Sequence, residues 1–238
     1  MAAAPGALSL LDLPAELRAH GYDAVQICHA QFPARDSAYL AELRSSLAAS
    51  GITLDAVLVD AGDVTHPTDA AKHEAWISEW IDAATELGAT RARVCAGRSA
   101  PTADTLRQGG EALARLAASH PGIRVITENW LELLADADAV LAVREITGDD
   151  VGLMIDLGNW HGAGKYDELA RIAPFAETCH AKCEFSADGP DRDDFLRSLT
   201  VLRAADFDGS MALIYSGPDD DEWANLDLEW EMVQSVFA

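Results

Sequence analysis

The chain has 238 residues, 17 Lys plus Arg against 40 Asp plus Glu, and a formal charge of −23. Such an excess of negative charge repels phosphate backbones and anionic bilayer surfaces, so no nucleic acid or membrane partner is expected, and the acidity reads as a solubility device. No window holds the ~18 apolar residues of a membrane span, and Cys28, Cys95, Cys179 and Cys183 sit in apolar runs rather than at disulfide or zinc-knuckle spacings. With no basic leader in MAAAPGALSLLDLP, reduced thiols and a cytoplasmic location are expected.

In chain order, helical periodicity opens at Leu13 to His20, stopped by Gly21, and an apolar run follows at Asp23 to Cys28. Asp36 stands in capping position before Ser37 to Ser50, where Tyr39, Leu40, Leu43 and Leu47 form one stripe and Gly51 supplies the stop. Strand-like runs then alternate with helices. The runs are Thr53 to Val59, Arg91 to Ala96, Ile123 to Thr127, Val151 to Ile155, Thr178 to Cys183 and Met211 to Tyr215. The helices are Ala70 to Leu87, Thr102 to Ser119, Leu131 to Ile146, Tyr166 to Ile172, Asp193 to Ala205 and Trp223 to Phe237. Alternation with short connectors implies parallel strands and right-handed crossovers, and this many units closes into an α/β TIM (β/α)8-type barrel. Such a barrel takes about 250 residues, so residues 1–238 are read as a single domain. The strands are one fewer than the helices. The first barrel strand is therefore expected to be degenerate or missing, reduced to Ala7 to Leu10, which leaves two edges to be covered.

Three of the apolar segments stop on a metal-binding side chain: Ile123 to Glu128, Gly152 to Asp156, and Glu177 to His180. Strand ends of a parallel barrel share one rim, so Glu128, Asp156 and His180 are expected to converge. Two carboxylates and an imidazole suit Mn²⁺, Mg²⁺, Co²⁺ or Zn²⁺. Each residue also has a purely structural use: Glu128 as a helix cap or Arg93 partner, Asp156 in an Asx turn with Gly158, His180 as a hydrogen-bonded barrel histidine. Lys182, two residues beyond His180, shares its strand face and is a candidate second acid. Gln26, His29, Arg93, Asn159 and His161 stand near other strand ends as candidate substrate contacts, and Trp130 could wall a pocket with an indole face suited to a sugar ring. In PDDDEW, Pro218 to Trp223, the acidic side chains read as a cap for the last helix, with one of Asp219, Asp220 or Asp221 as an alternative ligand. Trp76, Ile77, Trp80 and Ile81 read as barrel packing or as a homo-oligomer contact.

Seven segments, in this order and spacing, resemble the xylose-isomerase-like barrels: GYDAVQI at Gly21, LVDAGD at Leu58, LGATRARVCAG at Leu87, ITEN at Ile126, MIDLGN at Met154, HAK at His180 and FDGSMALIYSG at Phe207. That group contains sugar and sugar-phosphate isomerases, epimerases and endonuclease IV. The resemblance implies a divalent ion held after the fifth, sixth, seventh and eighth strands by Glu, Asp, His and Glu. Glu128, Asp156 and His180 match the first three positions, whereas Ile214 occupies the fourth. It further implies a small carbohydrate-like substrate and an isomerase or epimerase in which Glu128 serves as acid and base. A lyase or dehydratase acting on a keto-sugar or related acid needs only one good base and tolerates Ile214 better. A non-catalytic small-molecule-binding barrel is the third reading. A nuclease is disfavoured, because this chain lacks the additional His ligands and basic face of endonuclease IV.

Overall fold

The computed structural model describes residues 8–218 and 221–238. Along it run α1 (Leu13–Ala19), β1 (Ala24–Cys28), α2 (Ser37–Ser50), β2 (Thr53–Val59), α3 (Ala70–Leu87) and β3 (Arg91–Val94). Then come α4 (Ala103–Ser119), β4 (Arg124–Glu128), α5 (Ala137–Thr147), β5 (Gly152–Asp156), α6 (Lys165–Ile172) and β6 (Ala176–Lys182). A two-residue hairpin, β7 (Phe185–Ser186) with β8 (Gly189–Pro190), precedes α7 (Arg192–Ala204), β9 (Ser210–Ile214) and α8 (Glu222–Phe237). The ends of α2 show why the boundaries fall where they do. Asp36 accepts a hydrogen bond from Tyr39 N at 3.1 Å, and Gly51 leaves the helix at φ 65°, a left-handed turn that costs glycine little. A side-chain cap of this kind contributes about 1 kcal/mol.

The strands form one parallel sheet in the order β1-β2-β3-β4-β5-β6-β9, a nearly closed barrel with one seam between β1 and β9. Among the described residues this is a TIM-type barrel of seven strands. Among the described residues Leu8 to Leu10 contain no strand, and Ala7, the first residue of the expected vestige, lies outside the described residues. Side chains bridge the seam instead of a backbone ladder. Ser210 Oγ on β9 donates to Asp55 Oδ2 on β2 at 3.3 Å, and the Trp223 indole of α8 stacks on His20 at the end of α1, ring centroids 3.8 Å apart.

Outward strand residues such as Val57, Ala92 and Val125 meet Leu43, Ile81 and Leu113 of the helices in one continuous buried core. Ile77 and Ile81 are fully buried and Trp80 nearly so, which packs α3 on the barrel, while Trp76 is half-buried. The helix expected from Leu131 begins instead at Ala137. Leu131 takes φ 64°, a conformation that breaks a helix, and Asp136 provides the cap by accepting from Ala139 N at 2.8 Å. Leu133 and Leu134 are buried in the resulting turn, pinned by Trp160 Nε1 donating to Leu134 O at 3.1 Å. Among the described residues no helix is long and apolar enough to cross a membrane.

The edge strand β9 is tied to its neighbour by a carboxyl hidden in the apolar face of α8. Glu229 is fully buried, and its Oε1 accepts from Cys183 N at 3.0 Å. Burial pushes its pKa up to about 8, against the opposing effect of the backbone N–H groups of Cys183 and Ile214. The folded protein therefore holds a proton that the unfolded chain releases near 4.5. The stability contributed is complete below that value, declines as pH rises, and is lost above about 8. Glu229→Gln should be more stable than the wild type at pH 9, with the gap closing by pH 5, as read from urea midpoints.

A candidate metal centre at the barrel rim

Glu128 and Asp156 are the last residues of β4 and β5, and His180 pairs with Asp156 across the β5–β6 ladder. The strand-end expectation holds for Glu128 and Asp156, whereas His180 lies two residues before the end of β6 and reaches the same rim by pairing with Asp156. One ligand atom from each residue lies within 4.8 Å of the others, and all three residues are buried. His180 Nδ1 is 3.4 Å from both Glu128 Oε1 and Asp156 Oδ2.

The surrounding residues hold these groups tightly. Asn129, with no exposed surface, uses Oδ1 to accept from Asp156 N at 2.7 Å and Nδ2 to donate to Asp156 O at 3.1 Å, acting as a short strand partner. Asp156 Oδ1 accepts from Gly158 N at 2.6 Å. The Asx turn and the approach to His180 therefore coexist, because each uses a different oxygen. Glu128 Oε1 accepts from Asn159 Nδ2 at 2.9 Å, and Glu128 Oε2 lies 3.0 Å from Arg93 Nε. Arg93 is itself buried, with Nη2 2.6 Å from Asp60 Oδ1 and its guanidinium 5.1 Å from the centre of the Trp130 ring.

The electrostatics follow from this packing. Burial works against the charge of Arg93, but Glu128 and then Asp60 more than offset it and raise its pKa. Burial likewise pushes Glu128 upward, yet Arg93 and His180 hold it well below the usual carboxylate range. Asp156, with no arginine beside it, is raised by burial and by the charge of Glu128. His180 is pushed up to about 9: burial opposes the charge, and hydrogen bonds to Asp156 and Glu128 overcome it. Two carboxylate oxygens and an imidazole nitrogen crowded into a dry space need a positive centre among them, either a proton on Nδ1 or a cation. That requirement and the O, O, N donor set fit a divalent ion. Ile214 at the end of β9 supplies no fourth ligand.

A cavity of about 520 Å³ adjoins the triad, lined in part by Trp130, Asn159, Trp160, His161 and Lys182. Asn159 joins it to Glu128. The triad side chains are not among its lining residues. Lys182 ends β6 and runs past Gly158, where an added Cβ would lie 2.9 Å from Lys182 Cδ. Leu131, in its left-handed conformation, also lines the cavity, an instance of backbone strain beside a polar site.

Of the other expected contacts, Arg93 is enclosed between Asp60 and Glu128, and His161 is exposed at the cavity. His29 is not among the residues lining the cavity: its Nδ1 accepts from Asp60 N at 3.2 Å and its ring meets Trp76 and Trp80 edge-on at 5.3 and 5.5 Å. Gln26 contacts His180 and Asp55. Asp221 caps α8 by accepting from Ala224 N at 3.3 Å, while Asp219 and Asp220 lie outside the described residues. Asp55 and Asn129 escape the sequence reading. A carboxylate inside the apolar run TLDAVLV is the signal for the first, since a charge buried in a strand demands a partner.

The chain matches the xylose isomerase-like TIM barrel family over residues 14–230, and it belongs to that family. No curated protein matches it in sequence. Among solved structures it is similar to D-psicose 3-epimerase with D-tagatose from Clostridium cellulolyticum H10, at 14% identity, 97% of this chain, 94% of that chain and a TM-score of 0.78. It is also similar to a xylose isomerase-like TIM barrel protein from Mycobacterium smegmatis in complex with magnesium, at 17% identity, 98% and 91% coverage and a TM-score of 0.75. A third is the probable 3-DHS dehydratase involved in petrobactin synthesis from Bacillus anthracis, at 13% identity, 96% and 94% coverage and a TM-score of 0.73. At these identities the likeness concerns the fold.

Proposed function

We propose that this protein is a divalent-metal-dependent enzyme acting on a small sugar or sugar phosphate, of the isomerase and epimerase type. The observation that carries the reading is the convergence of Glu128, Asp156 and His180 within 4.8 Å beside a polar, tryptophan-walled cavity. Family membership and the epimerases among the structural neighbours support it. A divalent ion held by the three side chains would polarise a carbonyl and acidify the neighbouring carbon or hydroxyl.

The chain's own residues supply positioning and proton transfer. Asn159 orients Glu128 through Oε1, and Arg93 keeps that carboxyl ionised so that it can take a proton from carbon. Trp130 and Trp160 bound the cavity against the apolar face of a sugar ring. With Ile214 in place of a second carboxylate, Glu128 removes and returns the proton alone, or Lys182, at the cavity wall, serves as the opposing acid. That same feature favours a second reading, elimination of water from a keto-sugar or related acid, which needs one base and one acid; a probable dehydratase is among the structural neighbours.

Incubating the protein with Mn²⁺ and a panel of ketoses, their phosphates and keto acids in D₂O tests both. Isomerase or epimerase chemistry predicts deuterium on the carbon beside the carbonyl, and dehydration predicts a product lighter by one water. Neither outcome with any member of the panel would favour a non-catalytic binding barrel.

A further inference from the structure

Gln26 of β1 lies between His180 and a second buried polar group, and both of its side-chain polar atoms are engaged. Its Nε2 is 2.7 Å from Asp55 Oδ2, and its Oε1 is 2.8 Å from His180 Nε2. Asp55, 7% exposed on β2, also pairs with Arg91 and receives the Ser210 hydroxyl at 3.3 Å. We propose that Gln26 and Asp55 are positioning residues that leave His180 Nδ1, and not Nε2, as the nitrogen available to a metal ion. The proposal rests on the metal reading given above.

Arg91 can only donate, and the Ser210 hydroxyl also donates to Asp55, whose paired carboxylate can only accept. Gln26 must therefore turn its amino group to Asp55; the flipped amide would set a carbonyl against a carboxylate. Its carbonyl then faces His180, and a carbonyl only accepts, so Nε2 carries the hydrogen. Once a cation takes the place of the proton among the carboxylates, the lone pair is left on Nδ1, the atom 3.4 Å from both Glu128 and Asp156. A metal-bound histidine usually has its other nitrogen fixed in this way, here by a relay that begins at an arginine two strands from the amide. The relay also separates Gln26 from any direct substrate contact through these atoms.

Asp55→Asn reverses the relay. Arg91 would hold the new carboxamide by its oxygen, the new amino group would donate to Gln26 Oε1, and the turned Gln26 would present Nε2 to His180. The ring hydrogen is then driven to Nδ1, where it blocks the ligand atom. Gln26→Met removes the relay without adding charge and serves if Asp55→Asn fails to fold. Calorimetric titration with Zn²⁺ or Mn²⁺ should show affinity falling roughly 10- to 100-fold in both variants. Long-range ¹H–¹⁵N spectra of the Zn²⁺-loaded wild type should show hydrogen on Nε2 and the ion on Nδ1, and at the same Zn²⁺ concentration both variants should show that signal reduced. An unchanged Nε2–H tautomer with wild-type metal affinity in the variants would overturn the proposal. Failure of the wild type to bind either ion would instead remove the metal reading, and the proposal with it.

Discussion

Glu128→Gln should lower turnover by roughly 10²- to 10⁴-fold, the range over which a positioned general base acts. The amide keeps the size of the side chain and can still accept from Asn159, but its amino group then faces Arg93 Nε, so stability falls as well and turnover is compared on protein shown to be folded. The carboxamide cannot take a proton from carbon, and it ligates a hard cation poorly. If Glu128 is the base, kcat falls even at saturating Mn²⁺ and solvent deuterium no longer enters the substrate. If Glu128 is only a ligand, raising the metal concentration restores most of the rate. Unaltered kinetics at all metal concentrations would remove Glu128 from the mechanism.

The second large effect concerns stability and comes from Arg93. Its guanidinium is 3% exposed and serves Glu128, also 3% exposed, and Asp60, which is 35% exposed. Arg93→Met fills similar volume but removes the cation. Asp60 can turn to water, whereas Glu128 cannot, so a buried carboxylate is left with His180 as its remaining positive neighbour. Breaking a buried pair from one side costs about 3–5 kcal/mol, which for a chain of this size lowers Tm by roughly 10 °C. Because a bound divalent ion replaces part of the missing positive charge, Mn²⁺ should raise the Tm of Arg93→Met by more than it raises that of the wild type. Equal metal-induced shifts in the two proteins would show that Arg93 and the ion site are not electrostatically coupled.

How much of this could be read from residues alone depends on the range of the interactions. The alternation of strand and helix is local: Asp36 and Gly51 bracket α2 within the segment itself, and β-branched runs between such stops mark the strands. The rim position of Glu128, Asp156 and His180 was equally legible, because the barrel's connectivity turns the end of each strand into a place in space. The turn at Leu131 was hidden, since the leucines of that segment have helical spacing and only the burial of Leu133 and Leu134, with the bond from Trp160, shows why the chain turns there. The Gln26–Asp55–Arg91 relay joins three strands, and no spacing along the chain reveals which polar atoms face one another across a barrel. Glu229 was obscured for a related reason: its place in the periodicity of α8 does not tell that it meets the backbone of Cys183.

Glu128, Asp156 and His180, on three adjacent strands, are the proposed ligands of one divalent ion. Diffraction from crystals grown with Mn²⁺, recorded on both sides of the manganese absorption edge, tests this assignment directly. The account predicts an anomalous peak in contact with Glu128, Asp156 and His180 Nδ1, and its loss in Asp156→Ala. A well-ordered rim with no peak there, or a peak held by other residues alone, would contradict it.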